Sequence, residues 1–162
     1  MKHFVPLILL LTFGCTETLN TDSVQNNNLF VLGKIPEIGD PIPIHDSIGL
    51  SSNYELLVTS SQTWPASAFM YEGCTFEIAW SSYGGVKYIS TSCHDFVTPE
   101  KIQAGMKLKE IDVSKFDKIR TMPGWGHYVE LKSGWKAAFC IDSTCTGRPL
   151  NGNDKVDWLF KR

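Results

Sequence analysis

The sequence predicts an α+β domain in which short helices pack on a mainly antiparallel sheet of hairpins. Two observations lead to this fold class. Segments that alternate between apolar and polar residues are separated by turn signals rich in Gly and Ser, which is typical of hairpins. Between them lie shorter segments that begin with Ser, Thr or Asn, the residues preferred at helix N-caps. The composition, with 43% hydrophobic and 20% charged residues in 162 positions, is that of an ordinary globular protein.

The N-terminus has the pattern of an export signal. Residues 1–3 are weakly basic, and residues 4–13 form an apolar run. A helix of that length covers about 15 Å, half of a bilayer core. The run therefore predicts a secretory signal peptide and not a membrane span.

The end of this segment resembles a bacterial lipobox, in which a Cys is lipidated and becomes the new N-terminus. Leu11 stands four residues before Cys15, and Gly14 stands just before it, as in the looser lipoboxes of Bacteroidetes-type bacteria. We expect residues 1–14 to be a lipoprotein signal peptide and Cys15 to carry the lipid. The alternative is a buried N-terminal strand with an incidental Cys.

A polar segment follows the expected lipidation site. Residues 15–28 contain few apolar side chains and cannot bury enough surface to offset the entropy of ordering, so they predict a flexible tether. We expect residues 29–162 to form one globular domain cross-linked by disulfides. The expected location is the bacterial cell envelope, with the lipid in the outer membrane.

The first pair of cysteines predicts a hairpin register. Residues 74–80 alternate, residues 82–85 form a turn signal, and a second strand follows. A loop at 82–85 places Ile78 opposite Ile89 and Cys74 opposite Cys93, and a slip of one residue would lose both pairings. We therefore expect the disulfide Cys74–Cys93.

The second pair, Cys140 and Cys145, is expected to form another local disulfide across a turn at residues 142–143. The competing interpretation is a metal site made of these cysteines with His94 or His127. Zinc ligands usually occur as closely spaced Cys pairs repeated twice, and only one such pair is present here. We expect no metal and no cofactor.

The remaining elements follow in chain order. Residues 54–58 are predicted to be a short helix. A second helix is predicted to start at Thr98, followed by a helical turn at residues 107–111. Residues 127–131 and 135–141 predict a hairpin, and residues 156–160 alternate as a last strand.

A short pattern that occurs twice in the sequence predicts two tandem helix-plus-sheet units, residues 44–96 and 97–162. Each unit has a Gly, at Gly49 and Gly105, followed by an acidic-apolar pair and then a hairpin.

The second unit resembles small bacterial envelope lipoproteins. The residues concerned are Thr98-Pro99-Glu100-Lys101-Ile102, Gly105-Met106 and Leu108-Lys109-Glu110-Ile111. These lipoproteins share the fold of the β-lactamase-inhibitor protein and of the small outer-membrane assembly lipoprotein. The resemblance, which spans residues 44–141, implies a pair of short helices on an antiparallel sheet and binding through a sheet face or loops. No functional residue of those lipoproteins is assigned to a position of this sequence.

A Gly-rich turn holds the candidate binding residues. Trp125, His127 and Tyr128 follow Pro123-Gly124, and their aromatic rings would offer rigid contact area on an exposed loop. The alternative is a turn whose aromatic rings cap the core.

Two functions fit these features. The first is a non-enzymatic protein-binding module of the envelope, of the assembly-accessory, inhibitor or immunity type. The second is a small hydrolase of cell-wall or glycan material, with Asp95, Glu100 or His127 as acid or base. We expect no catalytic residues. We also expect no nucleic-acid partner, because 15 basic residues against 17 acidic ones leave no excess positive charge for phosphates.

Overall fold

A computed structural model describes residues 29–42, 54–81, 84–112 and 119–162. The expected signal peptide, Cys15 and the tether lie outside the described residues. The strands are β1 (Phe30–Val31), β2 (Tyr54–Thr59), β3 (Gln62–Tyr71), β4 (Cys74–Trp80), β5 (Val86–Thr91), β6 (Ile119–Met122), β7 (Gly126–Glu130), β8 (Lys136–Phe139) and β9 (Trp158–Lys161).

All of these strands belong to one sheet. Strands β2–β5 form one antiparallel meander and β6–β8 form another. The last strand, β9, pairs with β5 on one side and with β8 on the other, so it joins the two meanders. The short strand β1 pairs in parallel with the end of β3, on the edge that also carries β2. The strand order is β1 and β2, then β3, β4, β5, β9, β8, β7 and β6.

The predicted α+β class is wrong, because the described chain is nearly all sheet. Its one helical element is a 3-10 turn, Leu108–Glu110, within the segment predicted as a helical turn. The pair of packed helices implied by the resemblance to the envelope lipoproteins is absent from the described residues. No helix in this part of the chain is long and apolar enough to cross a membrane.

The first predicted helix is strand β2. Val58 is buried and Leu56 half-buried, whereas Glu55 and Leu57 are exposed, which is the alternation of a strand. Leu56 pairs with Trp64 of β3. A helix of five residues is marginal by itself, whereas pairing with a long strand satisfies the backbone and buries one face.

The second predicted helix, from Thr98, is a tight turn. The Thr98 hydroxyl accepts the Ile102 N–H at 3.2 Å. Lys101 has φ of 67° and Gly105 has φ of 84°, so the backbone reverses twice where a helix would continue. A Cβ at Gly105 would lie 2.6 Å from the His94 ring, so this position needs glycine for space as well as for conformation.

The two expected half-repeats differ in local structure. Glu55 and Leu56 lie in a strand, whereas Glu110 ends a 3-10 turn and Ile111 follows it in extended conformation. Gly49 of the first unit lies outside the described residues.

The predicted register of the first hairpin is confirmed at its centre. Ile78 pairs with Ile89, and the disulfide Cys74–Cys93 is present with its Cα atoms 5.6 Å apart. A bulge after Ala79 pairs Trp80 with Val86, so the connecting loop is one residue longer than predicted.

The second disulfide, Cys140–Cys145, is also present. It closes a tight turn in which the Cys145 N–H donates to the Asp142 carbonyl at 3.0 Å and the Ile141 N–H donates to the Cys145 carbonyl at 3.1 Å. The predicted hairpin around residues 132–134 is present as β7 and β8, and the predicted last strand is β9.

The two faces of the sheet carry separate cores. On one, which we call the covered face, Phe69, Phe76, Ile78, Ile89 and Leu159 pack against the loops that connect the meanders. Ile102, Leu108, Ile111 and Val156 contribute from those loops.

The other side, which we call the curled face, has no such cover from the connecting loops. Val58 of β2 packs there in one cluster with Trp125 and Tyr128, which lie near the opposite end of the strand order, and with Phe160 of the central strand β9. The sheet must therefore curl so that its two ends approach each other on this face.

Candidate functional site

The three candidate binding residues are buried. Trp125 is 5% exposed, His127 6% and Tyr128 8%. The prediction that Trp125 stands on an exposed loop is wrong, and the alternative, in which the aromatic rings cap a core, describes its position. The Trp125 ring meets Trp158 at 5.2 Å and Phe160 at 4.9 Å between ring centres, both edge to face.

His127 is held by hydrogen bonds at both ring nitrogens. Its Nδ1 lies 2.9 Å from the Thr121 hydroxyl, and its Nε2 lies 3.1 Å from the Arg148 carbonyl. Because a carbonyl can only accept, Nε2 donates to it, and in the neutral imidazole Nδ1 accepts from the Thr121 hydroxyl. This ring joins β6 to the loop before β9, and both of its nitrogens are occupied.

Glu100, a second acid/base candidate, is also engaged. Its Oε1 accepts the Ser133 N–H at 2.6 Å and its Oε2 accepts the Ser133 hydroxyl at 2.8 Å. The net effect of its partly buried surroundings and these hydrogen bonds is a lowered pKa of the Glu100 carboxyl. Through these two hydrogen bonds the carboxylate connects the turn between β7 and β8 to the loop that covers the sheet.

Asp95, the third acid/base candidate, lies in a cavity of about 550 Å³ at the Cys74 end of the covered face. The cavity also holds the ion pair between Lys161 Nζ and Glu37 Oε2, 2.7 Å apart. Lys161 Nζ lies 5.3 Å from the centre of the Trp135 ring. The structure therefore places Asp95, Glu100 and His127 in three different surroundings and does not bring them together.

A smaller cavity opens on the curled face, in the gap between β2 and β5 that the curl of the sheet leaves. Its volume is about 190 Å³, and we call it the mouth pocket. Mouths of curled sheets and barrels are frequent ligand sites. The lining residues are Leu56, Leu57, Glu77, Tyr88, Ser90, Thr91, Ser92, Trp125 and Trp158.

Strand alternation places Glu77 in this pocket. Ile78 of β4 points to the covered face, so its neighbour Glu77 points to the curled face. Glu77 Oε1 accepts the Tyr54 hydroxyl at 3.2 Å, and Oε2 accepts the Ser90 hydroxyl at 3.1 Å. Two hydroxyls from neighbouring strands thus hold the carboxylate in place.

The phenols beside Glu77 stay protonated well into the alkaline range. Burial raises the pKa of Tyr88 to about 12, and the neighbouring Ser90 and Trp158 side chains offset part of that rise. Burial and then the Glu77 charge raise the pKa of Tyr54 above its usual range. Both phenols are therefore neutral beside the carboxylate at physiological pH.

Side chains close the curl next to the pocket. Trp125 Nε1 donates to the Leu57 carbonyl at 3.3 Å, and Arg162 Nη1 donates to the Val58 carbonyl at 3.2 Å. The Arg162 guanidinium lies 5.3 Å from the centre of the Trp125 ring and 5.6 Å from those of Tyr128 and Phe160. The cation is therefore directed into an aromatic cage and toward the edge of β2.

Local sequence patterns do not identify Glu77, Tyr88, Ser90 and Trp158 as neighbours in one pocket. The alternation of β4 does place Glu77 on the face opposite Ile78, so a signal existed. The curl that brings β2 and Trp125 over that face comes from strand order, which local alternation does not encode.

The described residues hold no group of three or more His, Cys, Asp or Glu side chains that could bind a metal ion. The four cysteines of the competing metal-site interpretation are paired in disulfides. The chain matches no known family model, no curated protein and no solved structure.

Proposed function

We propose that this chain is a lipid-anchored protein of the bacterial cell envelope, with its lipid in the outer membrane, whose folded domain binds a protein partner without catalysing a reaction. Assembly-accessory, inhibitor and immunity roles all belong to this class.

The anchor is supported by the chain before the folded domain. An apolar run too short to span a bilayer ends at Gly14-Cys15, and a polar segment follows. Two disulfides in the domain are typical of proteins that fold in an oxidising compartment.

Partner binding rests on one observation, the exposed apolar and aromatic side chains of β2 next to the mouth pocket. Leu57 is 47% exposed and is one of the residues that surround a pocket whose walls include Trp125 and Trp158. Tyr54, 36% exposed, donates to the Glu77 carboxylate in the same pocket. Exposed apolar side chains beside an aromatic pocket with a few fixed polar groups are typical of protein-binding surfaces.

A non-catalytic role is supported by the state of the acid/base candidates. Glu100 and His127 use their polar atoms to fasten loops, and Asp95 lies in a different cavity. Release of soluble glycan from cell-wall material by the full chain, lost in Asp95→Asn, would contradict this part of the proposal.

The anchor is tested by Cys15→Ser in the full chain. Because a lipid on Cys15 is the proposed attachment, the variant should move from the membrane to the soluble fraction after a carbonate wash and lose label from radioactive palmitate. Thr16→Ser is the matched control and should stay in the membrane. A Cys15→Ser variant that still sediments with membranes would refute the anchor.

The binding surface is tested by a photo-crosslinking amino acid placed in the full chain in cells. At Leu57 the crosslinker should yield one discrete adduct with a protein. Ile119, 44% exposed on β6, is the control of matched exposure and should yield none. The proposal fails if Leu57 gives no adduct, or if both positions give the same adducts.

A further inference from the structure

The mouth pocket has an uncompensated negative charge. Glu77 carries the one formal charge among the residues that line it. Within the described part of the chain, the ion pairs are Arg120–Glu130, Arg148–Asp154 and Lys161–Glu37, and none of them includes Glu77. A half-buried carboxylate in an aromatic-lined cavity is most stable with a counter-ion.

Glu77 can still accept hydrogen bonds. Each of its oxygens accepts one hydroxyl, from Tyr54 or from Ser90, and an ionised carboxylate has about four acceptor positions. The nearby cation, Arg162, is directed to the Val58 carbonyl and the aromatic cage. The carboxylate is therefore prepared for a donor from outside the chain.

The walls and the size of the pocket restrict which chemical group can be that donor. Leu56, Trp125 and Trp158 line it with apolar and aromatic surface, which suits an aliphatic stem. A volume of about 190 Å³ is smaller than a usual small-molecule site, which has roughly 300–1,000 Å³. It suits one side chain.

We infer that the mouth pocket binds the side chain of a lysine, its methylene stem between Leu56, Trp125 and Trp158 and its ammonium group on the Glu77 carboxylate. The inference deepens the proposed function and rests on it in one respect, that the lysine belongs to a protein partner.

The chemistry is tested with the purified full chain in detergent. The probes are Nα-acetyl-lysine N-methylamide and the same compound acetylated at Nε, which keeps the stem and removes the charge. We expect the charged probe to shift the indole N–H resonances of Trp125 and Trp158 in NMR spectra, and the neutral probe to leave them in place. Equal shifts with both probes would overturn the inference without any variant.

Two substitutions locate the charge. Glu77→Gln keeps the shape of the side chain and should weaken binding of the charged probe by about tenfold or more, the value of a charged hydrogen bond. Glu55→Gln is the matched control, because Glu55 also accepts a hydroxyl, from Thr63 at 3.2 Å, but lies outside the pocket. The inference fails if Glu77→Gln binds the probe as well as the unmodified chain, or if Glu55→Gln weakens binding equally.

The test separates this inference from the proposed function. A chain that shows the crosslink at Leu57 but no response to the charged probe retains the protein partner and overturns the lysine site. A chain that binds the probe through Glu77 but crosslinks to no protein overturns the assignment of the ammonium group to a partner.

Discussion

The covered face and the curled face of the sheet are stabilised in different ways. On the covered face large aliphatic and aromatic side chains pack under connecting loops, and Phe76 stacks on Phe69 with ring centres 5.3 Å apart. On the curled face small residues such as Ala79 and Ala138 leave room for the sheet to bend, and Trp125 and Arg162 bridge its ends. The difference indicates that one face supplies stability, while the other combines packing with a polar pocket.

Truncation on the covered face should have the largest effect. Phe76 is fully buried and also meets Phe96 at 5.1 Å between ring centres. Phe76→Ala should lower the free energy of unfolding by about 3–5 kcal/mol, measured by chemical denaturation. Phe76→Leu is the control and should cost much less, because it retains most of the volume. Equal costs would mean that this core is loosely packed.

The two disulfides provide a second comparison between the covered core and the protein surface. Cys74–Cys93 closes a ring of sequence separation 19 beside the covered core, and Cys140–Cys145 closes one of separation 5 in a surface turn. Replacing both members by Ala should cost about 3 kcal/mol for the first pair and about 2 kcal/mol for the second, from loop entropy. Denaturation of the two double variants under the same conditions measures this order, and the reverse order would contradict it.

On the curled face, Trp125→Phe should cost about 1 kcal/mol, because it keeps an aromatic ring and removes the hydrogen bond to the Leu57 carbonyl. The effect should be local, so amide hydrogen exchange should quicken in β2 and stay unchanged in β5. Faster exchange in both strands would show that the curl is coupled to the whole sheet.

The smallest effect is expected at the Arg148–Asp154 pair, because the Arg148 side chain is 44% exposed and solvent screens it. Hydrogen bonds from Arg148 hold the pKa of the Asp154 carboxyl at about 2, below its value in an unfolded chain. Its contribution to stability is therefore present above about pH 4 and is lost as the pH falls toward 2. Denaturation of Asp154→Asn between pH 7 and pH 2 should show a smaller loss of stability on acidification than the unmodified chain shows.

Local patterns were sufficient for much of the sheet. The alternation of residues 74–80 and the two cysteine positions predicted the pairing of Ile78 with Ile89 and the disulfide Cys74–Cys93. They are insufficient at residues 54–58, which they predict as a helix and which lie in strand β2. Short segments have weak preferences of their own, and here pairing with β3 decides the conformation.

The sequence by itself determined the hairpins, both disulfide pairings and the strand at the C-terminus, because each depends on neighbours in the chain or on strict alternation. The tertiary structure decided the rest. The insertion of β9 between β5 and β8 joins the meanders, and the curl then brings Trp125 to the edge of β2 and over the face that carries Glu77. Such contacts between residues far apart in the chain depend on how separate strands pair and pack, which local periodicity does not specify.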